Sequence, residues 1–312
     1  MVGARIAQAH DANRRQEAEL RSRAPRVRTC HAGALLGVCA SACILAAALL
    51  LGACGQQEAA SPSPSVSASA AASPAASQIS LTAAEQDWLA EKGTLQIGAF
   101  SDYPPFGFAD ESGQAVGIAA DYWKLVGERL GVEVAFTPEL FADQLEGLKQ
   151  GRFDSLEGIF PLPEREQWFA FTRAYYMIDT RIYVDAAHTG NTTLKSLKGL
   201  KVAVVNGDSG QQLADDAGLS TLVVKGYPQA VKAVAAGAAQ ATILDELVGD
   251  YYIKEFKLAN KVKAVGKPVA SGEMTMPVRK EDTMLLGILN KGIEMVGDSE
   301  FEGIYEKWMG PS

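Results

Sequence analysis

Glu157-Gly158-Ile159-Phe160-Pro161-Leu162-Pro163-Glu164-Arg165, continuing as Glu166-Gln167-Trp168, is the stretch on which the reading of this 312-residue chain turns. It follows an apolar run, Phe153 to Leu156, that reads as a strand. Two prolines and a Pro-Glu-Arg step predict a loop turning into a short helix, because proline fits a first helical turn. An arginine held there is placed to grip a carboxylate through its planar fork of donors. Taken alone, Arg165 reads as a surface residue paired with Glu164 or Glu157. The rest of the chain changes that reading.

Upstream, residues 1–31 carry seven arginines against Asp11, Glu17 and Glu19, and an uncharged Ala- and Leu-rich run follows from Ala32 to Leu51. Leu51-Gly52-Ala53-Cys54 then places a large apolar residue and two small ones before a cysteine. Basic segment, apolar segment and small-residue cleavage site make up an export signal. The closing cysteine resembles the lipobox of bacterial lipoproteins, which implies cleavage before Cys54 and its lipidation, anchoring the protein to the cell envelope on its periplasmic or extracellular face. The alternative is a transmembrane anchor, since about twenty apolar residues span a bilayer. The basic segment is long for a signal and leaves the start codon open.

The four cysteines are Cys30, Cys39, Cys43 and Cys54, so cleavage leaves only the lipid-bearing one, with no disulfide and no cysteine metal site. Removing seven of 29 basic and three of 37 acidic residues leaves 22 against 34, a net charge of about −12. That balance argues against nucleic acid or anionic lipid as a partner. Residues 54–79 are mostly Ala, Ser and Pro and read as a disordered tether carrying the lipidated cysteine, because they bury too little apolar surface to offset chain entropy.

The remainder, from residue 80, alternates strands and helices. Thr82-Ala83-Ala84-Glu85 has capping-box spacing and opens a helix to about Glu91, with Gly93 as its stop. Expected strands are 94–100, 132–136, 153–156, 169–172, 181–184, 201–205, 220–224, 241–244, 262–265 and 275–279. A short hairpin turns at Asp110 to Gly113. Expected helices are 119–130, one from Phe141 ending at Gly151, one through Asp216, 228–236, 247–256, 283–296 and 300–308. This alternation predicts an α/β fold with largely parallel sheets, in two groups of βα units and hence two lobes.

An ordered set of short motifs carries a resemblance. Tyr103-Pro104-Pro105-Phe106, Gly117-Ile118-Ala119-Ala120-Asp121, Leu148-Lys149-Gln150-Gly151-Arg152-Phe153-Asp154 and Pro163-Glu164-Arg165 come first, with Phe171-Thr172 and Ala174-Tyr175-Tyr176 close behind. Leu197-Lys198-Gly199-Leu200-Lys201-Val202-Ala203-Val204, Gln240-Ala241-Thr242-Ile243-Leu244-Asp245 and Lys307-Trp308 follow. Together they resemble the bacterial extracellular solute-binding proteins of family 3, over nearly all of residues 82–309.

The resemblance implies a two-lobed periplasmic-binding-protein (Venus-flytrap) fold with a two-strand hinge and a ligand cleft. Lobe 1 would comprise 80–180 plus 271–312 and lobe 2 181–270, with crossovers near Met177 to Arg181 and Ala270 to Glu273. It also implies a monomer without cofactor, not an enzyme, that captures a small carboxylate or amino acid by hinge closure and delivers it to an ABC permease. Arg165 would take the ligand carboxylate, and Asp245 on the other lobe its ammonium. Backbone amides around Asp208 and Ser209 would add donors at a helix start. Tyr103 and Phe141 would pack on the ligand side chain, or belong to the ordinary core; Asp245 read by itself is also a helix N-cap.

The chain departs from the family pattern in places. Leu162 stands where Ser or Thr is usual and Phe160 where a polar residue is usual, giving fewer ammonium partners and a more apolar wall. Asp208 stands where Thr or Ser is common, and an acid beside a carboxylate site repels it unless turned away. Glu157 replaces a small residue at the rim, to neutralise Arg165 or receive a cationic ligand group. A carboxylate lacking an amine, or an aromatic acid, therefore stands beside the amino acids.

Other classes fit less well. Gly207-Asp208-Ser209-Gly210 has the look of a serine-protease nucleophile motif, but the sole histidine after Cys54, His188, lies in a polar loop and offers no base. The stretch Leu81 to Leu89 and the Pro-Leu-Pro-Glu-Arg variant look like sensory domains fused to histidine kinases. That makes a binding subunit signalling to a membrane sensor kinase the alternative to transport. A cyclohexadienyl-dehydratase-like enzyme is the remaining alternative.

Overall fold

The computed structural model describes residues 2–23 and 79–310 except residue 191. The expected cleavage site, Cys54 and the tether lie outside the described residues. Helix α1 (Val2–Arg23) leads the chain, followed by α2 (Ala83–Lys92), β1 (Thr94–Phe100), β2 (Asp102–Tyr103), β3 (Gly107–Ala109), β4 (Ala115–Val116), α3 (Ile118–Leu130), β5 (Glu133–Glu139), α4 (Phe141–Lys149), β6 (Ser155–Leu156) and β7 (Phe169–Phe171). Then come β8 (Tyr176–Asp185), β9 (Lys201–Val205), α5 (Ser209–Asp216), β10 (Ser220–Val224), α6 (Tyr227–Ala235), β11 (Ala241–Asp245), α7 (Glu246–Glu255), β12 (Val262–Met274), β13 (Pro277–Arg279), α8 (Thr283–Met295) and α9 (Asp298–Met309). Thr82 caps α2 through the expected capping box, its hydroxyl accepting from the Glu85 amide while the Glu85 carboxylate accepts from the Thr82 amide.

Two sheets organise two lobes. In the first, β1 lies between β5 and β6, parallel to both. In the second the order is β10-β9-β11-β8-β12, with β9, β10 and β11 parallel and β8 antiparallel to both its neighbours. The expectation of largely parallel sheets therefore holds for the βα units and not for the two connecting strands. β8 and β12 are long because each continues from one lobe into the other. They pair from Val262 with Asp185 to Met274 with Tyr176, with a register shift between Val265 and Ala270. The expected short strands at 181–184 and 262–265 are thus the ends of continuous hinge strands.

The C-terminal segment returns to the first lobe. Lys307 Nζ and Trp308 Nε1 both donate to Asp121 of α3, at 2.6 and 2.8 Å. Two motifs far apart in the chain thereby meet at one carboxylate. Arg279 of β13 donates to the Phe153 carbonyl at 2.8 Å.

Helix α1 also packs on this body. Val2, Ile6, Ala9 and Ala12 are buried at helical spacing. Asn13 holds Ala174 twice, donating to its carbonyl at 2.9 Å and accepting from its amide at 2.7 Å. Arg5 pairs with Asp179 of β8 at 2.5 Å and lies 3.6 Å from Glu246 of α7. Among the described residues no helix is long and apolar enough to cross a membrane.

Candidate functional site

The Pro-Leu-Pro-Glu-Arg stretch forms successive hydrogen-bonded turns rather than the expected short helix. The Arg165 amide donates to the Leu162 carbonyl and the Phe169 amide to the Arg165 carbonyl, but β7 begins before a helix can propagate. The turns deliver Arg165 into the interior, where it is 6 % exposed. Its guanidinium donates to the Phe160 carbonyl at 2.8 Å and to the Gly207 carbonyl at 2.9 Å, and lies 5.3 Å from the centre of the Phe141 ring. The surface pairing with Glu164 or Glu157 is therefore not formed. Burial lowers the pKa of this guanidinium, opposed chiefly by the nearby charge of Asp208.

Asp245 faces it from the other lobe. It ends β11 and occupies the N-cap position of α7, yet its side chain makes no cap hydrogen bond. Instead its carboxylate accepts from Tyr103 Oη at 2.7 Å and from Thr180 Oγ1 at 2.6 Å. Thr180 sits directly across the β8–β11 register from Asp245. Burial, then the charge of Asp208, raises the Asp245 pKa.

Gly207 adopts a left-handed φ of 77°, which turns the chain out of β9 and directs its carbonyl to Arg165. Asp208 follows as the residue before α5 and Ser209 as the first of the helix. Both are buried, at 6 % and 4 % exposure. The amides of Ser209 and Gly210 and the Tyr227 hydroxyl lie near the Asp208 carboxylate without an aligned cap hydrogen bond. Asp208 Oδ2 and Ser209 Oγ have no hydrogen-bond partner. Burial drives the Asp208 pKa up, with Arg165 opposing.

Aromatic rings complete the walls. Tyr103 stacks on Phe100 with centroids 4.8 Å apart and tilts against Tyr227 at 4.8 Å; Phe141 also stacks on Phe100, at 6.0 Å. Phe160 lies over Gly272 of β12, where a side chain would collide with its ring. Arg165, Asp208, Asp245, Tyr103, Phe141 and Phe160 all line one cavity, whose free space is about 10 Å³ in this closed arrangement. Ser209 adjoins it through Asp208.

Glu157 departs from the expectation for it. Far from the rim, it is 0 % exposed, and its carboxyl accepts from the Phe100 amide at 2.9 Å beneath the cleft. Its carbonyl takes the Trp123 indole and the Tyr175 hydroxyl. Burial pushes its pKa up to about 8. It is absent from the cavity lining and from the charges that act on Arg165.

Several participants escaped the sequence reading. Asp102 accepts from the Tyr227 amide at 3.1 Å, and its carbonyl accepts from Tyr252 Oη at 2.9 Å, so it joins the lobes at the cleft edge. Burial raises its pKa to about 6. Tyr227, Thr180 and Met274 also belong to the site or its support. Thr180 lay inside the expected crossover, and Tyr227 stands just before the Pro228 that opens α6; no motif distinguished Tyr252 or Met274. A separate cavity of about 660 Å³ flanks β8 between α7 and α9, lined by Tyr176, Asp179, Tyr251, Tyr305 and Trp308 with Arg5 of α1. Its lining also carries Glu246, Asp250, Lys254 and Glu255, but neither Arg165 nor Asp245.

Two α/β lobes joined by a pair of long antiparallel strands, with charged groups meeting between them, define a binding protein of the Venus-flytrap type. The chain belongs to the bacterial extracellular solute-binding proteins, family 3, whose model matches residues 95–311. A probable amino-acid ABC transporter-binding protein of Haemophilus influenzae is 32% identical over 168 residues, 53% of this chain and 65% of that protein. An ancestral arginine-binding protein bound to glutamine is 32% identical with a TM-score of 0.64, covering 70% of this chain and 99% of that one. A histidine kinase sensor domain with similarity to periplasmic binding proteins is 25% identical with a TM-score of 0.66, covering 70% of this chain and 96% of that domain.

Proposed function

We propose that this is an extracytoplasmic solute-binding lipoprotein that captures an amino acid or related small carboxylate by hinge closure and hands it to an ABC importer. The observation that carries this is the convergence of Arg165 and Asp245, from opposite lobes, on one cavity. A zwitterion is bridged by that pair, its carboxylate on the guanidinium and its ammonium on the aspartate. Lobes are assigned as 80–180 with 271–312, and 181–270, with β8 and β12 as the hinge.

The closed geometry supports an exchange of partners. Parting the lobes withdraws the Gly207 carbonyl from Arg165 and the Tyr103 hydroxyl from Asp245. Each group is thereby freed for its ligand counterpart, and the ligand replaces the lobe-to-lobe hydrogen bonds on reclosure. Population shifts toward the liganded closed state by the difference in ligand affinity between the two states.

Export with lipidation at Cys54 is part of the proposal, supported by the Leu51-Gly52-Ala53-Cys54 order and by membership of the extracellular solute-binding family. A sensing role through a membrane kinase is the second reading, favoured by the sensor-domain likeness. The test is a thermal-shift and calorimetric screen of amino and organic acids, because native-state ligands raise the melting temperature by mass action. A hit that stabilises Arg165→Ala as much as the parent rules out the carboxylate clamp.

A further inference from the structure

The cleft has one acidic group more than a zwitterion requires. Its lining carries Asp208 and Asp245 against a single cation, Arg165. A neutral amino acid bound through Arg165 and Asp245 balances those two and leaves Asp208 uncompensated. Burying an unpaired carboxylate is unfavourable, because the interior does not replace its hydration.

The hydrogen-bond inventory points the same way. Arg165 has donors engaged by Phe160 and Gly207, and Asp245 has one oxygen engaged by Tyr103 and the other by Thr180. What remains without a partner at the cavity wall is Asp208 Oδ2, on a residue 6 % exposed, and beside it Ser209 Oγ, on a residue 4 % exposed. One is an obligate acceptor when ionised and the other accepts as readily as it donates. An ammonium or guanidinium, with several N–H donors and no acceptor, complements both.

We infer that the cleft selects small ligands of net positive charge, with Asp208 receiving the additional cationic group and Ser209 accepting beside it. The inference rests on the reading of Arg165 and Asp245 given above and adds the ligand's charge class to it. The ligand is an amino acid with a basic side chain rather than a neutral or acidic one. The Tyr227 hydroxyl and the Ser209 and Gly210 amides near Asp208 work with Arg165 against burial, which raises its pKa, and Oδ2 is left without a hydrogen-bond partner.

The experiment is titration calorimetry of the purified full chain with L-arginine, L-lysine and L-ornithine against L-glutamine, L-alanine and L-glutamate at low salt. Asp208→Asn and Asp208→Thr are measured in parallel, with folding checked by circular dichroism. The parent should bind at least one basic amino acid about tenfold or more tighter than any neutral one, and both variants should lose about that preference. Equal affinity for glutamine or alanine overturns the inference, as does a preference that survives in Asp208→Asn. In those cases, neutral binding abolished by Arg165→Ala leaves the solute-binding proposal standing. Failure of every amino acid to bind the parent overturns both. Should Asp208→Thr not fold, the isosteric Asp208→Asn and the parent's own selectivity decide the matter.

Discussion

Tyr103 and Asp245, 142 positions apart in the chain, share a 2.7 Å hydrogen bond that joins the two lobes across the cleft. The tyrosine comes from a two-residue strand of the first lobe and the aspartate from the end of β11 in the second. In the proposed binding mode this bond holds one of the two Asp245 oxygens to which a ligand ammonium would turn, so it would act both as a closing contact and as a competitor for the ligand.

Tyr103→Phe keeps the ring stacked on Phe100 and removes only the hydroxyl. Losing a hydrogen bond to a buried charged group costs about 1.5–3 kcal/mol, and here that loss falls on the closed arrangement. Small-angle scattering of the ligand-free variant should give a larger radius of gyration than the parent. Identical scattering curves would remove Tyr103–Asp245 as a closing contact.

Glu157 sets a pH dependence of stability. Its pKa rises from 4.5 to about 8 on burial, so the folded state holds a proton that the unfolded chain releases. The associated stability is complete below the unfolded value of about 4.5, falls as pH rises toward 8, and is flat beyond. Glu157→Gln retains an acceptor for the Phe100 amide and carries no charge at any pH. Urea denaturation should show the variant gaining on the parent with rising pH, by about 2–4 kcal/mol at the alkaline end. Parallel pH profiles for the two proteins would falsify the assignment.

Gly272 lets Phe160 close the wall of the site. A methyl there collides with the ring, so Gly272→Ala should cost about 1–3 kcal/mol through overpacking. Adding Phe160→Leu should restore part of the loss, and a double-mutant cycle measures the coupling. Strict additivity of the two substitutions would show that they do not meet.

Helix α1 and the proposed processing at Cys54 have a joint consequence. Cleavage there takes α1 with it, exposing the surface beneath Val2 and Ile6 and the two backbone groups of Ala174 held by Asn13. In the full chain, Asn13→Ala should lower stability by about 1–3 kcal/mol, the cost of leaving buried polar groups unpaired. In a chain beginning at Cys54 the melting temperature should already be lower than that of the full chain. Equal melting of the long and short chains would mean that α1 adds nothing to the folded body.

The local periodicities and caps of this sequence determined most elements by themselves. The Thr82–Glu85 capping box, the β1 run and the apolar face of α3 are properties of neighbouring residues, and local sterics and hydrogen bonding decide them. The ordered motifs likewise determined the fold class and marked Arg165 and Asp245. Tertiary structure decided what those residues touch. Whether β8 and the 262–274 segment end within a lobe or run on through the hinge depends on pairing between segments some ninety positions apart, which no local pattern records. The Pro-Leu-Pro-Glu-Arg stretch became turns instead of a helix because β7 pairs with β13 immediately after it. Glu157 moved from rim to interior because the Phe100 amide and the Trp123 indole need its oxygens. Arg165 itself was marked by its motif as a candidate binder; its partner Phe160 lies five residues back in the same lobe, while Gly207 belongs to a surface that reaches it only when the two lobes meet.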